Sequence, residues 1–138
     1  MKAVDTNVLA RFFVDDPDDA QAVRQRPAAV AAMSQPVFVP LTVLLEFEWV
    51  LRGFYKLPQR QVARVLRALA GIEHVSLDRR DVVLAALDAF ESAGLELADA
   101  LHLASSSRCQ GLMTFDRRMA KRAAVLVSMT PVELMASS

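Results

Sequence analysis

An α/β fold built on a mostly parallel sheet is what this 138-residue chain predicts, and three observations carry the reading. Short apolar runs bounded by proline, glycine or an acid recur, as in Pro36-Val37-Phe38-Val39-Pro40 and Gly111-Leu112-Met113-Thr114. The longer stretches between them place apolar residues three and four apart, as Val62, Val65, Leu66 and Leu69 do, which is the spacing of one helix face. The runs also lack the polar alternation of a half-wet strand, so they suit a sheet buried on both faces by its own connecting helices.

Taken in order, Lys2 to Asp5 reads as the first strand, and Thr6 to Val14 as a helix stopped by the cluster Asp15-Asp16-Pro17-Asp18-Asp19. Asp18 to Met33 is Ala-rich and helical, with a kink or break expected at Pro27, because an interior proline removes a hydrogen bond and crowds the preceding turn. Pro36 to Pro40 is the second strand, Leu41 to Tyr55 a long apolar helix, and Pro58 to Ala70 a helix started by its proline. Ile72 to Ser76 reads as the third strand, Asp78 to Ser92 as a helix that Gly94 terminates, and Leu97 to Arg108 as another helix. Gly111 to Thr114, Asp116 to Ala123 and Ala124 to Met129 complete the chain as strand, short helix and fifth strand.

Composition limits the possibilities. At 54% hydrophobic the chain can bury one substantial core, so a single domain over residues 1–138 is expected. Its apolar stretches are broken by Glu46, Glu48, Arg52 or Asp88, short of the roughly 18 residues that a membrane helix needs. The first residues enter a strand-like run with no charged-then-apolar leader, which leads to the expectation of a cytoplasmic protein. Cys109 has no partner for a disulfide and no zinc-type spacing around it, and is expected to be a small buried filler. The 16 basic and 16 acidic residues cancel, but unevenly. Arg52, Lys56, Arg60, Arg64 and Arg67 follow one another without an acid, and Arg117, Arg118, Lys121 and Arg122 form a second basic group. Either is a solvated helix face or a phosphate-contacting surface.

Four acids stand where elements begin or meet the core. Asp5 ends the first strand, where it can cap the following helix; Asp116 stands similarly before its short helix, and Asp99 near the start of another, where the helix dipole favours a carboxylate. Glu46 shares a helix face with Thr42, Val43, Trp49 and Val50, and a carboxylate on an apolar face needs a partner or a metal. Glu48 stands four residues before Arg52, in the order of an exposed helical ion pair, which makes Glu46 the functional candidate of the two. His102, one turn after Asp99, is expected to be an interior histidine. In open parallel sheets ligands bind beyond the carboxyl ends of the strands, and Asp5 and Asp116 both stand at such ends.

Asp5-Thr6-Asn7, Glu46 within Leu45-Glu46-Phe47-Glu48-Trp49, Asp99 within Ala98-Asp99-Ala100-Leu101-His102, and Asp116 within Thr114-Phe115-Asp116-Arg117 together resemble the PIN domain family, in particular the VapC toxins of type II toxin–antitoxin modules. The resemblance covers essentially the whole chain. It implies a three-layer PIN-like fold with a five-stranded sheet of order 3-2-1-4-5. It implies an endoribonuclease dependent on Mg²⁺ or Mn²⁺, dimeric, and held in check by a cognate antitoxin whose C-terminal segment enters the acidic site. Carried onto this sequence, the catalytic and metal-binding set is Asp5, Glu46, Asp99 and Asp116, with Asn7 and Thr114 as supporting polar neighbours. Arg117, Arg118 and then Arg11 are the candidates for contact with RNA. Pro27 and the second acid Glu48 depart from the pattern. Three other readings compete: a silent interaction module whose acids only cap helices; a phosphatase of the haloacid-dehalogenase type, disfavoured because Asn7 stands where that family needs a second Asp; and a PIN nuclease outside toxin–antitoxin biology.

Overall fold

In the computed structural model, which describes residues 1–138, the chain divides into two compact units, Met1–Arg79 and Arg80–Ser138. Each is α/β with parallel strands.

The first unit contains β1 (Lys2–Ala3), α1 (Thr6–Phe13), α2 (Ala20–Met33), β2 (Val37–Val39), α3 (Leu41–Trp49), a π-helical segment (Val50–Phe54), α4 (Gln59–Ala70) and β3 (Val75–Leu77). The strands lie in the order β1-β2-β3, all parallel, with Lys2 opposite Val37 and Val37 opposite Val75. The Val4 amide adds a bond to the Phe38 carbonyl, 3.1 Å, so the chain stays extended up to Asp5. Leu9 of α1, Leu44 and Phe47 of α3, Leu51 of the π-helical segment and Val62, Leu66 and Leu69 of α4 are buried. Residues 44, 47, 48 and 51 repeat at helical spacing, and this is the buried stripe of α3 and the turn after it. Proline at the N-cap of α3 offers no side-chain acceptor; Asp78, just beyond β3, supplies one instead by accepting from the Leu41 amide at 3.2 Å.

The expected break at Pro27 does not occur, and α2 runs through it. An interior proline costs roughly 3 kcal/mol. Burial of Met33, worth roughly 1.5–3 kcal/mol, offsets much of that, helped by the buried Ala22 and Ala29. Asp19 adds an N-cap, accepting from Gln21 and Ala22, and caps contribute about 1 kcal/mol. The long helix from Leu41 also departs from expectation, because its regular part ends at Trp49 and the next turn widens. The Tyr55 amide bonds the Val50 carbonyl and the Leu57 amide bonds that of Leu51. The third strand is displaced to Val75–Leu77.

The second unit contains α5 (Arg80–Ala93), α6 (Leu97–Ala104), β4 (Leu112–Thr114), α7 (Arg117–Ala123) and β5 (Val132–Leu134). Gly94, with φ of +68°, ends α5 as expected, since glycine enters the left-handed region without a Cβ penalty. Val82, Val83, Ala86, Leu87 and Phe90 of α5 are buried, as are Leu97, Ala100, Leu101 and Leu103 of α6. The helix from Leu97 stops at Ala104 rather than Arg108. Three serines follow, and the Ser106 hydroxyl donates to the His102 carbonyl at 2.7 Å, the local bonding by which serine competes with a helix ladder. The fifth strand is not Ala124–Met129 but Val132–Leu134, parallel to β4 with Thr114 opposite Leu134. Val125 and Val127 are exposed, Val127 at 94%, so the apolar run that suggested a strand has no ladder and no core to enter. Cys109 is exposed rather than a buried filler, because it lies in the turns after α6.

Candidate active site

Asp5 caps α1: its Oδ1 accepts from the Val8 amide at 3.2 Å while the residue remains exposed. The capping role foreseen for an acid in this position is real, and it uses one of the two carboxylate oxygens. Thr6 follows at once and is buried. Its hydroxyl donates a short hydrogen bond to Glu46 Oε1, tying the first residue of α1 to the middle of α3. Sequence reasoning passed over Thr6; the clue was a β-branched hydroxyl at the first helical position beside a candidate acid.

Glu46 and Glu48 exchange the environments expected of them. Glu46 is exposed, because Thr42 and Trp49 on its side of α3 face solvent. Glu48 lies in the buried stripe at 3% exposure and is paired with Arg52 Nε at 3.3 Å to both its oxygens. The Glu48–Arg52 pair foreseen from the spacing therefore forms, but as the partner of a buried acid rather than as an exposed pair. Apolar Trp49 and Val50 misled the assignment for Glu46, since an apolar residue on a helix need not face the core.

Asn7 is exposed and lines a groove of about 240 Å³ between α1 and α2, floored by Val8, Ala28, Ala29 and Ala32. Arg11 borders the same groove, but its guanidinium is committed: Nε donates to Gln25 Oε1 at 2.9 Å, Nη1 to the Tyr55 hydroxyl at 3.2 Å, and Asp19 lies at 4.0 Å.

In the second unit Asp116 caps α7, accepting from the Met119 amide at 3.0 Å. Its own amide donates to Thr114 Oγ1 at 2.9 Å, so Thr114 shapes the turn that presents the acid. Asp99, in the first turn of α6, shares with Asp116 a small cleft lined also by Leu95, Glu96, Arg118, Met119 and Arg122, with about 30 Å³ of room for water-sized groups. Burial, then Glu96, then Asp116 push the Asp99 carboxyl above its ordinary value, with His102 opposing them. That is the response of a carboxylate crowded by like charges in a part-dry cleft. Glu96 was also passed over in the sequence, being the unremarkable residue before α6. His102 is exposed rather than interior, because α6 turns Ala100, Leu101, Leu103 and Ala104 inward; it acts on Asp99 through charge. Arg122 Nη1 donates to the Gly94 carbonyl at 2.8 Å, bracing the cleft, while Arg117 and Arg118 are exposed.

The donors are all carboxylate oxygens, which suit hard divalent cations. No three acidic, histidine or cysteine side chains are drawn into one ready-made ligand cluster. Mg²⁺ tolerates that arrangement, because it keeps several waters and binds through one or two carboxylates plus substrate phosphate rather than in an all-protein cage. The negative crowding at Asp99 is what a bound cation would relieve.

The fold is mixed α/β with parallel strands, and Asp5 and Asp116 cap the helices that follow β1 and β4. The PIN domain family model matches residues 2–125, and the chain belongs to that family, whose members are generally metal-dependent nucleases. No match among curated proteins was found. No helix is long and apolar enough to cross a membrane.

Proposed function

We propose that the protein is a Mg²⁺- or Mn²⁺-dependent endoribonuclease of the VapC type, the toxin of a toxin–antitoxin module acting in the cytoplasm. The observation that carries the proposal is the pairing of Asp99 with Asp116 in one cleft, where burial first, then Glu96 and Asp116, raise the Asp99 carboxyl above its ordinary value. Asp99 and Asp116 would hold the ion together with substrate phosphate, Asp5 and Glu46 remain the further acids of the expected catalytic set, and Thr114 and Thr6 position Asp116 and Glu46. A bound Mg²⁺ or Mn²⁺ supplies activation of the attacking water and neutralisation of charge on the scissile phosphate. Arg117 and Arg118, exposed beside Asp116, draw the polyanionic substrate towards an acidic site, and binding weakens as salt rises. Single-stranded or looped RNA is the substrate class, cut to leave a 5′-phosphate and a 3′-hydroxyl. Asn7 stays in the proposal as a polar neighbour, whereas Arg11 serves mainly to clamp α1 to α2.

The test is cleavage of RNA by purified protein with and without chelator. Asp5→Asn and Asp99→Asn each abolish cleavage with the circular dichroism spectrum unchanged, and Mg²⁺ or Mn²⁺ restores what chelation removes. Full activity in either variant, or in chelator, sinks the assignment. The toxin role predicts an adjacent small gene whose product co-purifies with this chain and blocks cleavage; without such an inhibitor the protein is a PIN nuclease outside toxin–antitoxin biology. The protein is a homodimer in this proposal, formed around Phe54, which is 65% exposed, and the half-buried Tyr55 and Leu57.

A further inference from the structure

Directly beside Asp116 lies an open cleft of about 550 Å³ lined by Phe115, Arg117, Leu134, Met135, Ala136 and Ser137. Resting on the ribonuclease reading above, we infer that this cleft receives one unpaired nucleobase next to the scissile phosphate.

Strand pairing builds the cleft. Thr114 stands opposite Leu134, and the Met135 amide donates to the Thr114 carbonyl at 2.8 Å, which brings the residues after β5 alongside Phe115. Phe115 is 66% exposed even though it adjoins the capping acid of α7. An aromatic ring left open to solvent gives every base a face on which to stack, and Arg117 on the same wall offers a cation for the neighbouring phosphate. Volume agrees, since small-ligand pockets run from about 300 to 1,000 Å³. Charge also favours a nucleotide over an apolar peptide, because the cleft's one charged lining residue is basic and no acid lines it. Leu134 to Ser137, which form the far wall of the cleft, fall outside the stretch matched by the family model.

The experiment uses the full chain and four short single-stranded RNAs that differ in one base. Affinity is read by fluorescence anisotropy with Mg²⁺ present in the Asp5→Asn background, where the RNA stays intact, and cleavage is read in the otherwise wild-type protein. Phe115→Ala weakens binding of all four RNAs roughly 5- to 150-fold, the range of one lost base stack. Phe115→Trp retains affinity, and its added indole is quenched by RNA. Arg117→Gln weakens all four RNAs alike and lowers the salt dependence. Val127→Ala, an exposed apolar residue that does not line the cleft, changes nothing. If wild-type protein cleaves RNA while Phe115→Ala cuts and binds it unchanged, the cleft inference is overturned and the nuclease reading stands. A Phe115→Ala effect confined to sedimentation would overturn it too, assigning the ring to a second copy of the chain. Wild-type protein that neither cleaves nor binds RNA overturns both.

Discussion

Two residues apart on α3, Glu46 and Glu48 divide the tasks of a carboxylate. Glu48 is buried and spends both oxygens on Arg52. Glu46 remains open to solvent with one oxygen held by the buried Thr6 hydroxyl, and so has acceptor capacity left for a ligand. Thr6→Val keeps the shape and removes the donor. Partners that orient a metal ligand typically contribute 10–100-fold in metal affinity, so a Mg²⁺ titration of cleavage should shift by about that factor in Thr6→Val while the fold persists; an unshifted curve would place Glu46 outside the metal site. Asp99 supports a stability prediction of opposite sign to its activity prediction. Its folded pKa is raised above 3.8, so its stabilising contribution is complete below the unfolded value and is lost as pH rises through the folded one. At neutral pH without metal, the ionised group therefore costs stability. Asp99→Asn should stabilise the folded state in chelator at pH 7 by less than about 1 kcal/mol after solvent screening, read as a higher melting temperature, with the gain vanishing below about pH 4. Lower stability of Asp99→Asn at pH 7 would contradict the crowding argument.

At the scale of elements, the turn after α3 repeats the theme of local geometry held against preference. The Leu57 amide reaches the Leu51 carbonyl across a residue in the left-handed region, Lys56 with φ of 58°. Glycine is the usual residue there, because a Cβ in that conformation crowds the following carbonyl. Lys56→Gly should stabilise the protein by about 0.5–1 kcal/mol, measurable as a higher denaturant midpoint with unchanged slope; a loss would show that the lysine side chain makes up for its backbone. The element-level surprises share a cause. Pro27 sits inside α2, and Val125 and Val127 lie outside any strand, because burial and pairing override local preference where they can and leave it unsatisfied where they cannot.

For the whole molecule, the zero net charge hides a division that function can use: acids at the starts of α1, α6 and α7, and bases exposed immediately after Asp116. Self-association belongs to this scale. Sedimentation at high concentration should show a dimer, and Phe54→Glu should reduce it to a monomer of 15.2 kDa; wild-type protein that remains monomeric would remove the dimer. The α/β class, the succession of elements, the caps Asp5 and Asp116 and the terminating Gly94 were all legible in the residues, because each depends on a local rule of spacing, capping or backbone freedom. The position of β5, the continuity of α2, the exposure of Cys109 and His102, and the exchange between Glu46 and Glu48 were not. By itself, then, the sequence determined which kinds of element form, in what order, and which acids stand at their ends. Only the tertiary structure decided which side of α3 is buried, which segment pairs with β4, and that Thr6 and Glu96 join the acids, because burial and strand pairing depend on neighbours distant along the chain that no local pattern records.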